Sequence, residues 1–130
     1  MMNHKKYAPV VLRLGMCAVV AWFGASQLSN PNMWFGVVPA WALEFSHLSA
    51  QTIIRLNGWF EIIAALALGV GVFTRWVALA LSAHLFVIAL GFGLSAVGVR
   101  DFGLTFGLLA VAMFGADCLC FEDVAPPLAV

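Results

Sequence analysis

The chain has 130 residues, of which 64% are hydrophobic and 9% charged, with a mean hydropathy of +1.04. An ordinary soluble domain is about 25% charged, so a water-soluble fold is set aside. Six basic and six acidic residues leave no formal net charge, which excludes the basic footprint of a nucleic-acid binder and a polybasic lipid-binding cluster.

A hydrocarbon core of about 30 Å needs about 20 apolar residues per crossing, so four crossings nearly exhaust the chain. The first apolar run, 8–28, closes at Ser29-Asn30-Pro31-Asn32, turn formers ahead of which a helix stops. Lys5, Lys6 and the small residues Gly24-Ala25-Ser26 have a signal-peptide flavour, but Arg13 inside the run and the run's length point to a retained first helix. Residues 32–50 are interrupted by Pro39 and mix Trp34, Phe35, Trp41 and Phe45 with Glu44, Ser46 and His47, a composition suited to the bilayer interface. A second run, 52–73, and a third, 76–97, are separated only by Thr74-Arg75 and form an antiparallel hairpin. Residues 98–101 make the next turn. The fourth run, 102–121, precedes Glu122, Asp123 and the helix-breaking Pro126-Pro127, with a short disordered tail.

The expected fold is all-α: one antiparallel four-transmembrane-helix bundle over 1–130, with an interfacial aromatic loop between its first two helices. Lys5, Lys6, Arg13 and Arg75 fall on one side and Arg55 and Arg100 on the other, which predicts a multi-pass protein of the cell membrane with both termini cytoplasmic.

Ionisable residues within spans are costly and face the bundle interior, where each is a candidate site. At about 1.5 Å per residue, Glu61 lies roughly 13 Å from the outer end of its run and His84 roughly 13 Å from the inner end of its own, so the two share a depth. Arg13 and Asp117 both fall near the inner surface, and Arg55 lies near the level of Arg100-Asp101. Three polar layers are predicted. Asn57 and Glu61, four apart, share a face with Gly58, Ala65 and Gly69, small residues that admit a neighbouring helix. Gly103, Gly107, Ala110, Phe114 and Asp117 form a stripe expected to pack inward on the fourth helix, as do His84, Ile88, Gly91 and Ser95 on the third.

Arg13 with Asp117 reads as a structural ion pair locking the first helix to the fourth, or as an anion or quinone-headgroup contact. Glu61 with His84 reads as a self-satisfied pair, or as a proton relay or quinone-carbonyl partner. Arg55 and Arg100-Asp101 read as ion pairs that anchor the interface. Cys17, Cys118 and Cys120 have neither redox nor zinc spacing and behave as small hydrophobes; no metal site is expected. One bis-His haem needs two in-membrane histidines, and only His84 lies inside a run.

Arg13-Leu14, Trp22-Phe23-Gly24-Ala25-Ser26-Gln27-Leu28, Asn57-Gly58-Trp59-Phe60-Glu61, Gly69-Val70-Gly71-Val72-Phe73-Thr74-Arg75 and Val99-Arg100-Asp101-Phe102-Gly103 stand in an order and spacing that resembles the DoxX family of small bacterial and archaeal membrane proteins. The resemblance runs from the first helix to the fourth and is most specific over 61–75. It implies a four-helix membrane bundle in a functionally broad family, named after a subunit of a thiosulfate:quinone oxidoreductase. Arg13, Glu61 and Arg100-Asp101 are the family-like polar positions, with no catalytic role transferable to them. Three functions follow as alternatives. The first is an accessory membrane subunit of a quinone-linked oxidoreductase, with quinone as ligand and redox subunits as partners; it requires a mid-depth cavity at Glu61 and His84. The second is a non-enzymatic scaffold or assembly protein binding partners through its helices, and the third is a small transporter or channel built as a homo-oligomer.

Overall fold

The computed structural model describes residues 3–124; the Pro126-Pro127 tail and its expected disorder lie outside them. The described residues form helix α1 (His4–Ser29), a 3-10 helix (Pro31–Val37), α2 (Ala40–Ser46), α3 (Ala50–Val70), α4 (Thr74–Phe92), α5 (Ala96–Phe114) and a last turn, α6 (Phe121–Val124). α1, α3, α4 and α5 are each long and apolar enough to cross a membrane. Only 28–33% of the most apolar stretch of each is buried inside the chain, so most of its apolar surface faces outward, as lipid contact requires. The chain is a multi-pass membrane protein.

The spans begin and end where local chemistry dictates. Ser49 opens α3 by accepting a hydrogen bond from the Thr52 amide, which satisfies one of the free N–H groups of the first turn. Ser95 does the same for α5 through the Gly98 amide. Residues 98–101, expected to be a turn, are therefore helical. The turn is 93–95, where Gly93 takes φ +55°, and α5 stops at Gly115 with φ +83°, backbone that only glycine adopts without strain. The third crossing thus ends at Phe92 rather than 97, and the fourth spans 96–114 rather than 102–121. Both corrections come from glycines that resemble ordinary apolar-helix residues in sequence.

α1 packs closely along α3, and α4 along α5; the two pairs meet over a thinner seam. Their common core consists of Val20, Ala65, Leu68, Ala78, Leu81, Leu85, Leu108, Val111 and Ala112. Lipid is as apolar as leucine, so contact between spans rests on close packing and hydrogen bonds rather than on the hydrophobic effect. The closest approach is Gly24 to Gly58, where a Cβ on Gly24 would lie 2.8 Å from the Gly58 carbonyl oxygen and one on Gly58 3.0 Å from that of Gly24. Gly69 seats against the Cys17 thiol and Gly107 against Met16.

Gly103 does not pack inward. It is exposed, and a Cβ there would meet nothing within 4 Å. The buried face of α5 is Asp101, Thr105, Leu108 and Ala112, held to α4 by a 2.9 Å bond from the Ser82 hydroxyl to the Thr105 carbonyl. The expected stripe extends helical spacing from Gly103 to Asp117, whereas the chain leaves the helix at Gly115 before Asp117 is reached.

Candidate functional site

One end of the bundle carries the α1–α3 connection and the α4–α5 turn; both ends of the described chain lie at the other. Gln27, near the end of α1, and Asn57 and Glu61, one turn apart on α3, converge at the connection end. The Gln27 amide donates to Glu61 Oε2 at 2.8 Å. Asn57 Nδ2 donates to Gln27 Oε1 at 2.7 Å and to Glu61 Oε1 at 3.1 Å. Both oxygens of a buried carboxylate are thereby supplied with amide donors, which buried polar groups need if they are not to cost free energy. His84 of α4 brings Nε2 to 3.4 Å from Glu61 Oε1, but without hydrogen-bond alignment, so this buried ring nitrogen has no partner. The Phe60 ring meets the imidazole edge to face at 5.0 Å.

Gln27, Asn57, Glu61 and His84 line a cavity of about 480 Å³, within the range of about 300–1,000 Å³ typical of small-ligand sites. The connection lines one side of it. Trp34 donates its indole N–H to Ser26 Oγ at 3.1 Å and stacks edge-on against Phe23, which ties the 3-10 helix to α1. Trp41 of α2 completes that wall. Arg100 and Asp101 line the same cavity. Arg100 Nε donates to Asp101 Oδ1 at 2.8 Å while the guanidinium lies 4.8 Å from the centre of the Phe23 ring, a cation–π distance. Two of the three predicted polar layers are thus a single site. Arg55 does not join it: the side chain is exposed and makes no salt bridge among the described residues, and Asp101 is held by its sequence neighbour Arg100.

The second polar layer lies at the opposite end. Arg13 donates from Nε to Asp117 Oδ2 at 2.7 Å and from Nη2 to Oδ1 at 3.2 Å, and from Nη1 to the Leu68 and Gly69 carbonyls at 2.7 Å each. At the end of α3 the Gly71 and Val72 amides both turn back to the Ala67 carbonyl. Leu68 and Gly69 are therefore left among the unpaired acceptors of the last turn, and Arg13 satisfies them. The segment after α5 folds over this end: Glu122 accepts from the Thr74 amide at 2.9 Å, and the buried Cys120 thiol sits between Thr74 Oγ1 and the Asp117 amide. Among the described residues no cluster of His, Cys, Asp or Glu could hold a metal ion.

Asn57, Glu61 and His84 come together as the depth arithmetic predicts, as do Arg13 and Asp117. Gln27 was not singled out in the sequence. Its signal is the spacing Val20-Gly24-Gln27, three and four residues apart on one helical face, which sets Gln27 directly beyond the glycine at the α1–α3 crossing.

Fold and site together define a multi-pass membrane protein whose spans and connection line a half-open, mostly apolar cavity of ligand size beside an amide–carboxylate–imidazole cluster centred on the buried Glu61. The DoxX family profile matches residues 8–94, more than half of the chain, and the chain belongs to that family. The matched stretch runs from α1 through α4 and ends before the Arg100-Asp101 pair of α5. No curated protein and no solved structure matches the chain.

Proposed function

We propose that the chain is a membrane subunit that binds a quinone in the cavity at Glu61 and His84 and serves a quinone-linked redox system. The observation that carries this reading is the unpartnered, buried Nε2 of His84, a residue that lines the mostly apolar cavity beside Glu61. A quinone carbonyl is an acceptor without a proton of its own, and an imidazole N–H at that position can donate to it. A bound quinone would supply two-electron, two-proton chemistry, with electrons coming from partner subunits.

The chain's own residues orient and exchange protons. Gln27 and Asn57 hold the Glu61 carboxylate in place, so that it faces His84 and can take a proton from the imidazole or return one. Phe60 fixes the ring plane. Trp34, Trp41 and the aliphatic walls exclude water, which strengthens each hydrogen bond made inside. Lys5, Lys6, Arg13 and Arg75 at the end of the two termini, against Arg55 and Arg100 at the other, support an arrangement with the termini end in the cytoplasm.

The test is a quinone titration of the purified chain in nanodiscs, read by quenching of Trp34 and Trp41. Saturable quenching is expected, with affinity reduced about tenfold in His84→Ala, the equivalent of one hydrogen bond. Quenching that never saturates, or that is identical in His84→Ala and Glu61→Gln, would refute the assignment.

A further inference from the structure

A second, smaller cavity of about 140 Å³ adjoins the first. Val37, Trp41, Val87 and Ile88 line both, so the smaller space continues the larger one between the connection and α4. Its two walls each carry a glycine, Gly36 on the 3-10 helix and Gly91 on α4. A Cβ at either would meet no atom within 4 Å. Both glycines are exposed, as is Val87 on the same side of α4, and no ionisable side chain lines the space. Gly91 lies one residue from the end of α4. The slot therefore runs from the polar cluster toward the lipid near the connection end of the span.

We infer that this slot is the exit for an apolar tail, and that the ligand of the cavity is a tailed amphiphile whose head sits at Glu61 and His84 while its single chain leaves between the 3-10 helix and α4. The inference rests on the cavity being a quinone-head site and adds the class of quinone and the route of entry. The tail gains little by lying in the slot, because lipid is an equally apolar environment. The slot acts by shape: two glycines leave room for a chain that side chains would block. A head without a tail does not use it.

Gly91→Leu and Gly36→Leu each add a side chain at a residue that lines the slot without meeting an existing atom at Cβ. In nanodiscs of one lipid composition, each variant is titrated with a benzoquinone bearing an n-decyl chain and with the same benzoquinone lacking the chain. Identical bilayers make partitioning cancel between wild type and variant. The expected result is a Kd for the decyl compound raised tenfold or more in Gly91→Leu, with the Kd for the head alone within twofold of wild type. Gly36→Leu carries the same expectation should Gly91→Leu fail to fold. Unchanged decyl binding in the folded variants, or equal weakening of both compounds, overturns the tail exit while leaving the head site standing. Failure of both compounds to bind the wild type overturns the head site and the tail exit together.

Discussion

Arg13 is the side chain on which the end of the bundle opposite the α1–α3 connection depends, and a double-mutant cycle with Asp117 measures how. Arg13 is 1% exposed and Asp117 4%, so removing either partner leaves its opposite number buried. Breaking such a pair costs about 3–5 kcal/mol. The two single substitutions differ in what else they leave. Asp117→Asn keeps an oxygen beside the guanidinium and leaves the bonds to the Leu68 and Gly69 carbonyls intact. Arg13→Met strips the donor from both carbonyls, and a buried unsatisfied acceptor costs about 1–3 kcal/mol. Arg13→Met is thus expected to be the more destabilising by about 2 kcal/mol or more, and the double variant to lose less than the two singles combined by up to about 3 kcal/mol. Equilibrium unfolding in mixed micelles, followed by tryptophan fluorescence and far-ultraviolet circular dichroism, gives the four free energies. Additivity within about 0.5 kcal/mol, or equal losses in the two single variants, would refute the account of Arg13 as both ion-pair partner and cap of α3.

The same contact sets a dependence on pH. Burial pushes the Asp117 carboxyl, which lies beyond the last span, upward, but the hydrogen bonds from Arg13 and the Leu119 amide and the charge of Arg13 outweigh it and hold the group below its ordinary value of 3.8. A depressed folded-state value stabilises fully above 3.8 and is lost as pH falls through the folded value; a thermal midpoint that drops in that acid window in wild type and stays flatter in Asp117→Asn is expected. Gly24→Leu forces a side chain into the Gly58 backbone and is expected to cost at least about 1–3 kcal/mol, whereas Gly103→Leu, which meets open space, leaves the unfolding midpoint unchanged. Gly71 has φ +82°, and a Cβ there would lie 2.5 Å from Cys120 Cα, so Gly71→Ala should lift the 115–122 segment. Native maleimide labelling checks it: Cys120 is protected in wild type and reacts in the variant.

The spans and the composition of both polar layers are legible in the sequence because a charge inside an apolar run has few places to go. Depth arithmetic alone brings Glu61 to His84 and Arg13 to Asp117. What it misses is phase and termination. Gly93 and Gly115 end helices by their backbone conformation, which composition does not distinguish from that of Gly91 or Gly107, both inside helices. That error carries over to Gly103, assigned to the wrong face. Arg55 misleads in another way: equal depth is necessary for a pair but not sufficient, and Arg55 lies on an exposed face of α3 while Asp101 is held by Arg100. Gln27 escapes notice because an uncharged amide in an apolar run raises no electrostatic alarm, although its amide both donates to Glu61 and accepts from Asn57.

The Arg13–Asp117 contact joins residues 104 positions apart, and a ribosome makes them in that order. At about 5–20 residues per second, roughly 5 to 20 seconds pass between the two. Throughout that interval the Arg13 guanidinium lacks its carboxylate, long enough to snorkel toward the nearer headgroups. The segment after α5 therefore completes α1, and a nascent chain stalled before Asp117 exposes its unfinished state at a residue made 104 positions earlier.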